Sequence, residues 1–311
     1  MGCVEAVTLR TPATLARPSR TWLGAYVGVT LSWGFSFLFI KLALNSFTPF
    51  GVIFPSCAIG AVIMLLIGKV KRVGLPRERM VWFHLGIVAL SVSALPGFLS
   101  AMAESHTSSL FAGIVLSGMT PLTSLFFITI VFRDEPMSRP QVLGLGIGVV
   151  GVLTVFGIWH GLGNNPWWAI AALVSASTLV GFSYPYSRRY LTHRGLNPIS
   201  LAGGQLILAA FVALPFFILD GRSGGGVTAP ALFGIVGMGA FANGVAYMWN
   251  FRIIAVAGSS VASTVMYLTP MIAVIGGVTF LHEHVTWYEP LGGVIILLGV
   301  AISQGRTKRR P

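Results

Sequence analysis

The chain has 311 residues, of which 55% are hydrophobic and only 9% charged, and its mean hydropathy is +0.83. A soluble domain carries about 25% charged residues, so this composition excludes a soluble globular protein and indicates one solvated by lipid. The net charge of +12 suits a nucleic-acid partner only as a basic patch, and its distribution along the chain excludes that.

The first 20 residues are polar, include Pro12 and Pro18, and are expected to form a disordered cytoplasmic tail. The first apolar run begins near Trp22 and is span-length, so it is not a secretory signal. A transmembrane helix needs about 20 mostly apolar residues. Ten segments qualify, near 22–42, 50–68, 81–101, 108–132, 140–158, 167–187, 198–218, 230–251, 258–281 and 287–304. Their length and their lack of sustained alternation predict helices rather than a barrel. A short polar loop, 157–166, divides them into five and five. The expected fold is all-α and integral to the membrane, with ten transmembrane helices as two inverted five-helix repeats. The first repeat covers 21–158, the second 166–304, and a basic cytoplasmic tail 305–311. Cys3 and Cys57 sit in the tail and in a span, so no disulfide framework is expected.

With the N-terminus inside, the loops alternate in and out. Of the 20 Lys and Arg residues, all but Lys41 and Arg222 then fall inside. This positive-inside asymmetry predicts cytoplasmic termini. The basic clusters 69–79 and 306–310 become topology signals and contacts for the lipid bilayer, with no nucleic acid as partner.

The two halves echo each other. Gly34-Phe35-Ser36 recurs as Gly181-Phe182-Ser183, and Thr120-Pro121 as Thr269-Pro270. Glu135, Ser138, Gly144, Gly151 and Val152 recur as Glu283, Thr286, Gly292, Gly299 and Val300. An odd number of spans per copy makes the second copy enter from the opposite side. Inverted copies support two nearly equivalent conformations and alternating access to a midplane site.

Trp33-Gly34-Phe35-Ser36-Phe37 with Lys41 resembles the opening motif of the drug/metabolite transporter superfamily, EamA branch. The stretch from Ala103 to Ser109, then Thr120-Pro121 and Glu135, resembles that family's third-to-fifth span region. Val261-Ala262-Ser263 through Thr269-Pro270 and Glu283 resembles its second copy. The chain departs at Phe54-Pro55-Ser56, where an Arg is frequent, and at Glu104, where a Leu is usual. The resemblance implies a ten-helix exporter of small metabolites with inverted five-helix repeats.

Candidate residues follow from what lipid cannot solvate. Asn243, Tyr247 and Asn250 share one face of the eighth span, and their polar groups must point inward, to substrate or to another helix. Gln205 on the seventh span is similar. Trp33, Phe37 and Tyr184, the repeat counterpart of Phe37, are candidates for a pocket wall or for lipid-facing packing. Pro121 and Pro270 occupy equivalent places in the fourth and ninth spans and are read as hinges. Lys41 and Glu104 near the outer ends of their helices form a candidate intramembrane ion pair, or snorkel separately. The small residues Ser109, Gly113 and Ser117, Gly144, Gly148 and Gly151, and Gly292 and Gly299 form stripes read as packing faces. His282-Glu283-His284 lacks metal-site spacing, and no metal or cofactor is expected.

There is no phosphate-cradling loop and no nucleophile elbow. The expected activity is therefore secondary transport, not catalysis. The expected function is export of amino acids or related small-molecule solutes by alternating access across the plasma (inner) membrane. Proton coupling and a homodimer are compatible with it. The alternatives are a membrane-embedded enzyme on lipid-linked substrates and a nucleotide-sugar or lipid translocator of the same fold.

Overall fold

A computed structural model describes residues 20–104, 106, 109–133, 138–155, 157–160, 166–221, 226–281 and 287–304. Among these residues the chain is all-helical, without strands. The α-helices are α1 (Leu23–Gly34), α2 (Ser36–Ala43), α3 (Pro49–Lys71), α4 (Arg79–Val88), α5 (Leu95–Glu104), α6 (Ser109–Phe126) and α7 (Arg139–Val155). They continue with α8 (Trp167–Tyr190), α9 (Pro198–Asp220), α10 (Ala229–Gly237), α11 (Ala246–Ala257), α12 (Ser259–Ser263), α13 (Val265–Leu281) and α14 (Tyr288–Gln304).

Local chemistry sets many of these bounds. Thr48 and Asn197 cap α3 and α9, accepting from the N–H of Gly51 at 3.1 Å and Ile199 at 3.0 Å. Each is followed by Pro at the first helical position, where no N–H is needed. Gly258, at φ 97°, ends α11 in a backbone state only glycine adopts freely.

Among the described residues, seven helical stretches are long and apolar enough to cross a membrane. The segments expected at 140–158 and 287–304 are instead shorter apolar helices. The first expected span bends at Phe35 between α1 and α2, and the ninth breaks at Thr264 between α12 and α13. α4 and α5 are joined by a π-helical stretch, Ala89–Ala94, and α10 and α11 by another, Met238–Val245. Taking Thr120-Pro121 and Thr269-Pro270 as the register, these two stretches occupy the same place in the two halves. A third π stretch, Phe127–Phe132, follows α6.

The packing exchanges the halves. α1 packs on α13 as α8 packs on α6; α1 and α2 meet α10 and α11 as α8 meets α4 and α5. α3 packs on its counterpart α9, and α7 on its counterpart α14. Glycine permits the tightest of these seams. A Cβ on Gly144 would lie 2.5 Å from Gly299 O, and one on Gly151 3.0 Å from Gly292 O. Backbone meets backbone there, so the glycine stripes of α7 and α14 are packing faces, as their spacing suggests. Contacts at 144 with 299 and 151 with 292 also make the two helices antiparallel. α3 and α9 run antiparallel too: Gly51 meets Gly221, and Gly68 lies against Ile199. The repeated glycines of the Gly-Phe-Ser motif face matched positions, Gly34 on Ile272 and Gly181 on Thr123 and Ser124.

Candidate functional site

A cavity of ≈ 330 Å³ lies where the two halves meet. Both Gly-Phe-Ser motifs and both Thr-Pro steps reach it. Ser36 and Ser183 line it, as do Thr120 and Thr269. The paired π stretches contribute Ser93 and Val92 from one half, and Met238, Ala242 and Asn243 from the other. A π turn widens the helix and displaces its side chains, which suits a wall that must curve around a space.

Of the candidates raised above, Trp33, Tyr184, Asn243, Tyr247 and Asn250 line this one cavity. Asn243 lies within the π stretch, one turn before Tyr247. The Trp33 indole N–H donates to Ala242 O at 2.9 Å, and its ring meets Tyr247 edge-on at 6.0 Å. Ser93 donates to the Tyr247 hydroxyl at 3.2 Å. Asn243 Nδ2 points at Cys57 Sγ, 3.9 Å away, a weak acceptor. Gln205 is not part of the wall. It stands one bond behind, donating to Ser93 at 3.4 Å, and is 1% exposed.

Pro121 and Pro270 sit inside α6 and α13, each directly after a wall threonine. The α-helical pattern is interrupted elsewhere, at Phe35, at Thr264 and in the π stretches. Phe37, Lys41 and Glu104 lie on α2 and α5, but their side chains are outside the described residues, and so is any pairing of Lys41 with Glu104. His282, Glu283 and His284 are outside them as well. Among the described residues no cluster of His, Cys, Asp or Glu is arranged to hold a metal.

Sequence reasoning missed the hydroxyl residues. Ser36, Ser183, Thr120 and Thr269 carried the signal as members of motifs repeated in both halves. Ser56 matches Gln205 in the repeat register and lines the wall where Gln205 supports it. No described wall residue carries a formal charge.

The wall runs unequally toward the two ends of the bundle. It extends to Leu44, Val52, Gly97 and Ser100 at one end. The matched positions at the other end, Leu191, Leu201, Ala246 and Trp249, are not in the wall, and the first three are 0% exposed. Leu85, Leu191, Leu201, Leu206 and Phe251 belong to one buried cluster there. His84 and Tyr186 close it, Nδ1 to hydroxyl at 2.6 Å, with Tyr190 stacked on the imidazole at 4.7 Å.

A multi-helix apolar bundle built twice around a neutral cavity is that of a polytopic membrane protein. The chain belongs to the EamA-like transporter family, whose sequence profile matches residues 20–157 and 167–304. It is similar to the uncharacterized transporter YoaV of Bacillus subtilis (strain 168), at 23% identity over 91% of this chain and 97% of that protein. An uncharacterized transporter of Archaeoglobus fulgidus is 21% identical over 89% of this chain and 94% of its own. A WAT1-related chloroplastic protein of Arabidopsis thaliana is 22% identical over 86% of this chain and 66% of its own. A solved crystal structure shares the fold, with TM-score 0.75 and 21% identity over 92% of this chain and 99% of that chain.

Proposed function

We propose that this membrane transporter exports amino acids or related small metabolites from the cytoplasm by alternating access. In this reading ten spans form two inverted five-helix repeats, 21–158 and 166–304. The chain lies in the plasma (inner) membrane with both termini cytoplasmic. The antiparallel pairing of α3 with α9 and α7 with α14 supports inversion, because an axis in the membrane plane reverses each helix it maps onto its partner. The basic residues support the orientation, which makes the end bearing Leu44 and Ser100 the outer one. The single observation that carries the reading is the cavity itself: it is shared by both halves, reaches one end, and is packed shut at matched positions of the other. A second state is then obtained by exchanging the conformations of the halves. Pro121 and Pro270, beside wall threonines in matched helices, serve as the points where that exchange bends. Asn243, Tyr247, Asn250, Trp33, Phe37 and Tyr184 contact solute, Gln205 positions Ser93, and Lys41 and Glu104 pair near the outer end. The uncharged described wall disfavours nucleotide sugars.

The test is reconstitution in liposomes and uptake of a labelled metabolite panel, with and without a pH gradient. Movement of at least one amino acid or relative above empty liposomes is expected, and a gradient that drives accumulation establishes proton coupling. No movement of any panel member by correctly folded protein would overturn the reading. The mass of the detergent-solubilised protein tests the homodimer.

A further inference from the structure

The duplication puts an unequal pair of side chains in the cavity wall. Trp33 and Val180 each precede a copy of the Gly-Phe-Ser motif, so they hold matched positions, and both line the cavity. Both also rest on one buried cluster that includes Tyr26, Val29, Tyr184 and Ile254. Trp33 is the larger of the pair, and it is held from several sides. Its indole N–H donates to Ala242 O at 2.9 Å, inside the second π stretch. Its ring meets Tyr247 edge-on, and its body packs against two buried clusters at once. The other aromatic side chains described in the wall, Tyr184 and Tyr247, are 2% and 8% exposed and offer the cavity little surface. Trp33 is only part-buried. Along α1 the wall runs from Leu44 at the open end through Ile40 and Ser36 to Trp33. It stops there, because Thr30, Val29 and Tyr26 beyond are 6%, 0% and 5% exposed and lie outside it. The indole stands where open space gives way to close packing.

We infer that Trp33 is the floor of the solute site and its specificity-determining residue: its fixed ring sets the largest solute the cavity admits, while Val180 leaves open the room its counterpart takes up. The inference rests on the transport reading above, since it takes this cavity as the solute site. The selector is bulk. Amides and hydroxyls are mixed along the wall, at Asn243, Asn250, Ser100 and Thr120 among others, and such a mixture accepts polar ends of many kinds. A side chain rejects a solute by size only if it cannot yield. Met238 and Met266 of the wall are unbranched and adapt to what they touch. An indole tied at its N–H and packed on two clusters does not, because a close-packed interior transmits strain instead of absorbing it. At ≈ 330 Å³ the cavity is also small for a ligand site, where about 300–1,000 Å³ is usual. A few methylenes of wall bulk therefore decide what fits.

A size series tests this: alanine, leucine, phenylalanine and tryptophan, each as the free amino acid and as its amide. Affinity for the purified full-length protein is read by isothermal titration, with the ligand-free melting temperature measured alongside. Trp33→Val should raise the affinity for the largest probes relative to the smallest by about tenfold, and Trp33→Phe should raise it less. Val180→Phe adds bulk at the matched position and should lower the same ratio by about tenfold. Trp33→Phe and Val180→Leu keep the test open if the larger changes impair folding. A merely structural role gives a lower melting temperature with all affinities falling together, and the ratio then stays at its wild-type value. A ratio unmoved in the Trp33 variants, or one that moves toward the small probes, overturns the inference. Failure of the transport reading looks different: no probe then binds wild type or any variant, and both readings fall. Binding by wild type with the ratio unmoved brings down this inference alone.

Discussion

The two ends of the bundle are built from matched helices yet hold different contents. At the end bearing Leu44, the residues Val52, Gly97 and Ser100 border a space. At the other, the counterparts Leu201 and Ala246 are fully buried, while Trp249 lies against Gly28 of α1. The same seams also differ in chemistry. Phe39 meets Phe233 edge-on at 6.0 Å at the first end. Their counterparts at the second end are Tyr186 and His84, joined by a hydrogen bond and backed by Tyr190. Near-equal backbones with unequal side chains make one closure apolar and adaptable, the other directional. In the proposed alternating-access cycle, the hydrogen-bonded seam at the second end has to break its His84–Tyr186 bond to open.

Five substitutions and one double variant break or sharpen this contrast. Phe251→Ala empties the packed end and should cost about 3–5 kcal/mol of stability. It should also make a cysteine placed at Leu201 react faster with a membrane-impermeant thiol reagent from that side. An unchanged melting temperature and labelling rate would show that Phe251 does not hold the closure. Next come the two motif glycines. A Cβ on Gly181 meets backbone as well as a side chain, Ser124 N at 2.7 Å and Thr120 O at 3.0 Å, whereas one on Gly34 meets only the Ile272 side chain. An added Cβ on Gly34 would also lie 2.3 Å from the Ile272 Cβ, which cannot swing away, so Gly181→Ala and Gly34→Ala should each cost about 3 kcal/mol. A thermal melt in detergent that leaves either variant near wild type would show that its seam is not packed this closely.

Tyr186→Phe copies the apolar chemistry of the first end onto the second. It should cost about 1 kcal/mol and raise labelling at Leu201→Cys several-fold. The His84→Phe, Tyr186→Phe double variant should add little, because the pair acts as a unit. The smallest effect belongs to the surface. Arg194 and Glu78 meet at 3.1 Å with side chains 39% and 68% exposed, so Glu78→Ala should change stability by less than about 0.5 kcal/mol. A larger loss would place that ion pair in the closure itself.

Much of this architecture is legible in the sequence. Apolar length located the helices to within a few residues at Pro198, Trp167 and Pro49, because lipid imposes one requirement on every spanning segment. Repeated motifs announced the duplication, and the close seams of Gly34 and Gly181 fall on those motifs. Asn243, Tyr247 and Asn250 could be placed inward because an amide facing lipid goes unsatisfied. The hydroxyl wall was harder to see. Serine and threonine satisfy themselves on their own helix carbonyls, so their presence in a span implies no cavity. Gln205 was indistinguishable from a wall residue, since lipid exclusion tells inward from outward but not first contact from second.

The sequence by itself determined the solvent, the helices, the duplication and the family, since each is carried by local composition or by self-similarity. Only the tertiary structure decided where the α-helices are interrupted, which polar groups share a space and which end is shut. The interruptions fall at Phe35, at Thr264 and in matched π stretches, while α6 and α13 run on through Pro121 and Pro270, because a proline's missing hydrogen bond is tolerated wherever neighbours hold the helix. That the Tyr184 hydroxyl and Asn250 oxygen are buried without a partner emerges only from the packing. A hydrogen bond left unmade depends on every atom around it, and those atoms come from both halves of the chain.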